Sequence, residues 1–176
     1  MKNSKPLVLV LMGSDSDWPA MSETLKALDG FGIEAEVAIA SAHRSPARTT
    51  KMVSTAAARG IEVIVAGAGA AAHLAGMCAA ETILPVIGVP LATSPLAGFD
   101  ALLAISQMPA GVPVATMAVG PSGARNAGVL AAQILALSRP PLQKKLADYK
   151  HTLADGVMKK DQELAELLRR QRASRG

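Results

Sequence analysis

The chain of 176 residues is half apolar but only 2% aromatic and holds one cysteine, which excludes disorder and a disulfide scaffold and predicts a core of Ala, Val, Leu, Ile and Met. Its length fits a single domain, and no apolar run reaches the roughly 18 residues of a membrane span. The net charge of +4 is uneven: residues 1–138 carry 8 Lys or Arg against 9 Asp or Glu, residues 139–176 carry 10 against 5, and four aromatics leave little for a base-stacking platform, so nucleic acid is not the expected partner.

The segment Met1-Lys2-Asn3-Ser4-Lys5-Pro6 leads into only a short apolar run, which argues against a signal peptide and makes the cytoplasm the expected location. Leu7 to Met12 has the pattern of a strand buried on both faces. Ser16-Asp17-Trp18-Pro19 then offers N-cap candidates with Pro in the first turn of a helix, and Gly30 and Gly32 are expected to stop it. Ile33 to Ala40 reads as a second strand, and Ser45-Pro46 opens a helix running to Arg59-Gly60. Ile61 to Ala66 is a third strand, broken by Gly67-Ala68-Gly69, with a small-residue helix following through Ala79 and Glu81. Pro85 to Val89 is a fourth strand, Pro90 to Ala97 a turn-rich loop, and Asp100 to Ser106 a short helix. Val112 to Val119 gives a fifth strand and Ser122 to Leu137 an Ala-rich helix.

This alternation predicts a three-layer α/β fold, an open parallel sheet of flavodoxin- or Rossmann-like type over residues 6–138, within one domain spanning 1–176. From Pro140-Pro141 the pattern becomes amphipathic and highly charged, with Gly156 as a candidate break. That segment, residues 139–176, reads as a C-terminal helical arm on the outside of the domain or on another subunit.

Ligands of an open parallel sheet bind beyond the carboxyl ends of its strands. Three loops there carry the polar chemistry: Gly13-Ser14-Asp15-Ser16-Asp17, Ser41-Ala42-His43-Arg44-Ser45-Pro46, and Gly67 through His73. The first precedes a helix whose free N–H groups favour an anion; Ser14 and Ser16 add hydroxyls, and Asp17 suits the hydroxyls of a ribose. Ser16 or Asp17 is equally read as a simple N-cap. The loop lacks the Gly-Lys-Ser/Thr end of a Walker loop and the Gly-x-Gly-x-x-Gly of a dinucleotide fingerprint. Arg44 supplies a forked cation for phosphate, and His43 beside it an imidazole, the side chain suited to moving protons near neutral pH. His73 follows a Gly/Ala run over which a ligand can come close, but a hydrogen-bonded structural imidazole is the preferred reading of it. Cys78 reads as a buried inert thiol and His151 as solvated, and no His-x-x-x-His, Cys-x-x-Cys or carboxylate cluster points to a metal.

Met12 to Asp17, Ser41 to Pro46, Ala66 through His73-Leu74, Pro85 to Pro90, Ser106 to Pro109 and Gly111 to Pro113 together resemble the PurE family in order and spacing. The resemblance covers residues 6–138 and implies an N5-carboxyaminoimidazole ribonucleotide mutase of purine biosynthesis, working without ATP, metal or organic cofactor. It implies that His43 is the catalytic acid and base and that Ser14, Asp17 and Arg44 bind substrate. Ser16, Ser41, Gly69, Ala70 and His73 complete the expected substrate site. Transient CO2 calls for a small dry cavity. Homo-octamers with active sites at subunit boundaries are also implied, with a ribonucleotide as ligand and neither membrane nor nucleic acid as partner. Two positions depart from the family pattern: Ala70 stands where Gly is usual and Ala75 where Pro is usual. If position 70 needs positive φ, its methyl costs about 1 kcal/mol or more. Three other readings remain: the related carboxylase using free CO2, a non-catalytic nucleotide-binding module, and RNA binding through the basic arm.

Overall fold

The computed structural model describes residues 5–173; Met1 to Ser4, part of the segment read against a leader, lie outside them. Five parallel strands form one sheet in the order β2-β1-β3-β4-β5: β1 Val8–Met12, β2 Ala35–Ile39, β3 Val63–Gly69, β4 Val86–Leu91 and β5 Ala115–Thr116. Among the described residues six α-helices accompany them: α1 Trp18–Phe31, α2 Pro46–Ser54, α3 Leu74–Glu81, α4 Phe99–Ser106, α5 Pro121–Ala136 and α6 Pro140–Ala173. The strand order is that of flavodoxin-like sheets, in which the chain reverses its direction of winding between β1 and β3.

All five residues of β1 are buried, and the period-two alternation of a strand divides them between two cores. Val8, Val10 and Met12 join Met21, Leu28, Ala124, Ala131 and Leu135 beneath α1 and α5. Leu9 and Leu11 join Val53, Ala75, Cys78, Ala101 and Ile105 on the opposite face. The three layers expected from the sequence are therefore present. Small residues in α5 let it approach α1 closely: a Cβ on Gly128 would lie 2.6 Å from the Thr24 carbonyl oxygen. Thr24, fully buried, donates its hydroxyl to the Ala124 carbonyl at 2.7 Å across the same contact.

Several boundaries differ from expectation. Gly30 stays helical, and Gly32 alone ends α1, with φ +73°. The second helix stops at Ser54, and a separate 3-10 turn, Ala57–Arg59, ends at Gly60. Strand β3 runs through Gly67 and Gly69 because pairing, of Gly67 with both Met12 and Val89 and of Gly69 with Leu91, outweighs weak glycine propensity. Strand β4 likewise continues through Pro90 to Leu91. The fifth strand shrinks to Ala115–Thr116: it is an edge paired only with β4, and Pro113 has no N–H to give. Gly156 does not break α6, since one interior Gly costs only about 1 kcal/mol against Ala.

Cys78 is buried, and desolvation pushes its thiol up to about 12. A thiol-specific reagent near neutral pH should therefore leave it unmodified until the chain is denatured; prompt labelling of the native protein would contradict this burial. Among the described residues no helix is long and apolar enough to cross a membrane, and no group of three His, Cys, Asp or Glu is placed to hold a metal.

Candidate functional site

The loops after β1, β2 and β3 open onto one cleft of about 320 Å³ at the carboxyl ends of the strands. Two of those strands, β1 and β3, flank the point where the winding reverses, which is where such sheets form a crevice. The cleft is lined by Ser14, Ser16, Asp17, Ser41, His43, Arg44, Gly69 and His73, all singled out from the sequence. Ala70 does not line it.

In the first loop Asp17 stands at the N-cap position of α1 but makes no side-chain cap there; the side-chain cap is made by Ser14, ahead of the preceding turn. Residues Asp15–Asp17 form a 3-10 turn, with the Ser14 hydroxyl accepting from the Ser16 N–H at 3.4 Å and the Asp17 carboxylate accepting from the Ser14 N–H at 3.0 Å. This reciprocal capping box folds the Asp17 side chain back under the loop, where it is only 6% exposed. Burial holds its carboxyl above the ordinary 3.8, against the opposing pull of the Ser14 and Gly13 backbone N–H groups. Because the folded state keeps that proton longer than the unfolded chain, the stability linked to Asp17 declines as pH climbs from 3.8 through the raised value. Urea titrations across that range should show the decline in the native chain and a flatter profile in Asp17→Asn; parallel profiles would contradict it.

Arg44 ties the first two loops together. Its guanidinium donates to the Gly13 carbonyl at 2.8 Å and to the Ser41 hydroxyl at 3.4 Å, while its backbone N–H also reaches that hydroxyl, at 3.1 Å. The guanidinium is thereby aimed along the first loop, toward the entrance to α1. Ser45 braces the same turn by accepting from the Ser41 N–H at 3.2 Å. Buried Thr49 donates to the Ser41 carbonyl at 3.3 Å.

The second and third loops meet through their histidines. His43 Nε2 lies 2.8 Å from His73 Nδ1, with the rings edge-on at 84°. One ring must donate the shared hydrogen and the other accept it, so the pair fixes complementary tautomers. His73 is hydrogen-bonded, as the structural reading of it expects, and it is also exposed and lines the cleft beside His43.

The turn that delivers His73 depends on Ala70, which adopts φ +50°. That conformation lets the Ala70 carbonyl accept from the Ala72 N–H at 2.8 Å before α3 begins. A methyl-bearing residue there is strained by about 1 kcal/mol, so Ala70→Gly is expected to raise Tm by about 2–4 °C. Thermal denaturation checks this; an unchanged or lower Tm would show that the turn is not strained.

Sequence reasoning passed over one polar residue of the cleft. Thr93, just beyond β4, faces it across Gly69. The rule that placed the other three loops at the carboxyl ends of their strands applies equally to the fourth. Ala42, Ala68, Ala71 and Leu74 supply the apolar part of the wall.

A family model described as AIR carboxylase matches residues 7–156. An N5-carboxyaminoimidazole ribonucleotide mutase of Mycobacterium tuberculosis is 53% identical over 163 residues, covering 93% of this chain and 92% of the relative. One from Thermotoga maritima is 51% identical, covering 92% and 94%. The crystal structure of Treponema denticola PurE superposes with a TM-score of 0.81 at 28% identity, covering 90% of this chain and 98% of that one.

Proposed function

Since the chain belongs to the AIR carboxylase family, we propose that it is an N5-carboxyaminoimidazole ribonucleotide mutase, an isomerase of purine biosynthesis that moves a carboxylate from N5 of the ribonucleotide to ring carbon C4. The observation that carries the reading is the meeting of an imidazole pair, a guanidinium and a capped helix entrance around one cleft. Phosphate is held by Arg44 and by the hydroxyls of Ser14 and Ser16 at the entrance to α1, and Asp17 takes the ribose hydroxyls. Ser41 positions Arg44 through its hydroxyl.

With the sugar-phosphate anchored, the heterocycle lies against His43. The N5–carboxylate bond breaks as protonated His43 gives its proton to N5, releasing CO2 and leaving the free amine. The electron pair at C4 then attacks the carbon of CO2, and neutral His43 removes the C4 proton, which restores the ring to its starting state. No proton is gained or lost overall, so one imidazole serves as acid and then base. His73 sets the orientation and tautomer of His43.

CO2 must not escape between the two steps, yet both imidazoles are exposed in the single chain. Trp18 and Leu96, neighbours in sequence of Asp17 and of the Thr93 loop, also stand largely exposed. These features support closure of the cleft by neighbouring copies, in the homo-octamer that family resemblance implies.

The deciding assay supplies purified protein with either substrate. N5-carboxyaminoimidazole ribonucleotide should be converted without ATP. Turnover of aminoimidazole ribonucleotide with bicarbonate, and none of the N5-carboxylated compound, would make the protein the carboxylase instead.

A further inference from the structure

Two imidazole nitrogens close enough to share a hydrogen also stand at the spacing of a metal chelate. His43 Nε2 and His73 Nδ1 are 2.8 Å apart. Metal–imidazole bonds run to about 2.0–2.1 Å; two of them at a right angle set their nitrogens about 2.9 Å apart, and at the tetrahedral angle about 3.3 Å apart. The observed spacing matches the right angle. That is the arrangement of square-planar and octahedral ions such as Ni²⁺ and Cu²⁺, not of tetrahedral Zn²⁺.

The surroundings set the character of such a site. Both rings are exposed in the cleft, so each can turn about its side-chain bonds to aim a lone pair at one common point. The ring that donates the shared hydrogen carries it on its other nitrogen instead, and one hydrogen bond is exchanged for two metal bonds. Asp17 is no third ligand, since its carboxylate is buried and turned onto the Ser14 N–H. Arg44, the cation in this lining, points its guanidinium at the Gly13 carbonyl of the first loop. The remaining coordination positions fall to water, which makes the ion exchangeable rather than resident. Neutral hydroxyls and one folded-back carboxylate give Mg²⁺ and Ca²⁺ no oxygen cage. The buried Cys78 thiol and His151, out on α6, stand apart from the pair.

We infer that His43 and His73 together form a two-imidazole site for a square-planar or octahedral divalent transition ion, of the Ni²⁺ and Cu²⁺ class, which acts there as an inhibitor. The ion takes the lone pair that His43 needs for proton transfer in the mutase reading. The site itself goes beyond that reading, because binding of the ion alone requires no turnover.

Calorimetric titration of the untagged full chain with nickel chloride tests the site. One Ni²⁺ per chain should bind and raise Tm, EDTA should reverse both, and Mg²⁺ should do neither. Of the three histidines, His43→Asn and His73→Asn should each weaken binding by at least about tenfold, and His151→Asn should leave it unchanged. Paramagnetic Ni²⁺ should also broaden the imidazole signals of His43 and His73 in the native chain before those of His151, a readout that needs no substitution. Absence of Ni²⁺ binding to the native chain, binding that survives both Asn substitutions, or tighter binding of Zn²⁺ than of Ni²⁺ would each overturn the inference. Bound Ni²⁺ should suppress turnover of N5-carboxyaminoimidazole ribonucleotide, and full turnover with the ion in place would overturn the inhibition. A chain that binds Ni²⁺ as expected yet turns over no substrate in its absence upholds the site and counts against the mutase reading alone.

Discussion

His43→Asn should bind ribonucleotide with near-native affinity and turn it over about 10²- to 10⁴-fold more slowly, the range lost with a general acid–base group. Arg44 keeps its own contacts to Gly13 and Ser41, so the phosphate site survives the change. Asn can still hydrogen-bond His73, so the two loops stay joined, but it cannot accept and return a proton. Calorimetric titration with product, beside single-turnover kinetics, separates the two effects. Unchanged turnover would remove the proton-transfer role and leave a nucleotide-binding module. Lost binding with lost turnover would mean that His43 chiefly holds the ligand.

The second large effect is expected at Gly69, where β3 passes β4. A Cβ there would lie 1.8 Å from the Thr93 hydroxyl oxygen and 3.0 Å from the Leu91 carbonyl oxygen. Thr93 must swing away and the backbones must part. Gly69→Ala should therefore cost about 1–3 kcal/mol of stability, the usual penalty of overpacking. It should also raise KM by roughly tenfold, because about 1.4 kcal/mol of binding is lost when one wall of the cleft shifts. Gly13→Ala is the matched comparison: its Cβ would meet only Asp17 Oδ2, at an ordinary 3.7 Å. Urea denaturation and steady-state kinetics of the two variants check the contrast, and equal stability in both would contradict the packing argument.

The layered parallel sheet was legible because β1, β3 and β4 are buried on both faces and read as unbroken apolar runs between glycine and proline signals. The misread ends lie where tertiary pairing outweighs local preference: Gly67 is held from both sides by Met12 and Val89, and Ala68 and Gly69 are carried on by pairing with β4. Strand β5 errs in the opposite sense, since an edge gives its residues only one neighbour. Residue type and position after a strand were enough to expect Ser14, Asp17, His43 and Arg44 on one rim, and all four line the cleft. Periodicity could not reveal the His43–His73 contact, which joins residues thirty positions apart through two loops. Nor could it show that the Asp17 carboxylate is turned back onto the Ser14 N–H. The φ of Ala70 is legible only as a condition: the departure from the family pattern marks the position, and the folded turn supplies the angle.

The most direct measurement of the catalytic account is a crystal structure of the assembled protein with 4-carboxy-5-aminoimidazole ribonucleotide bound. Phosphate is expected on Arg44 and the first loop, ribose on Asp17, and an imidazole nitrogen of His43 within about 3–3.5 Å of ring carbon C4 in a cleft sealed from solvent. A heterocycle bound away from His43, or a His43 ring turned into open solvent within the oligomer, would contradict it.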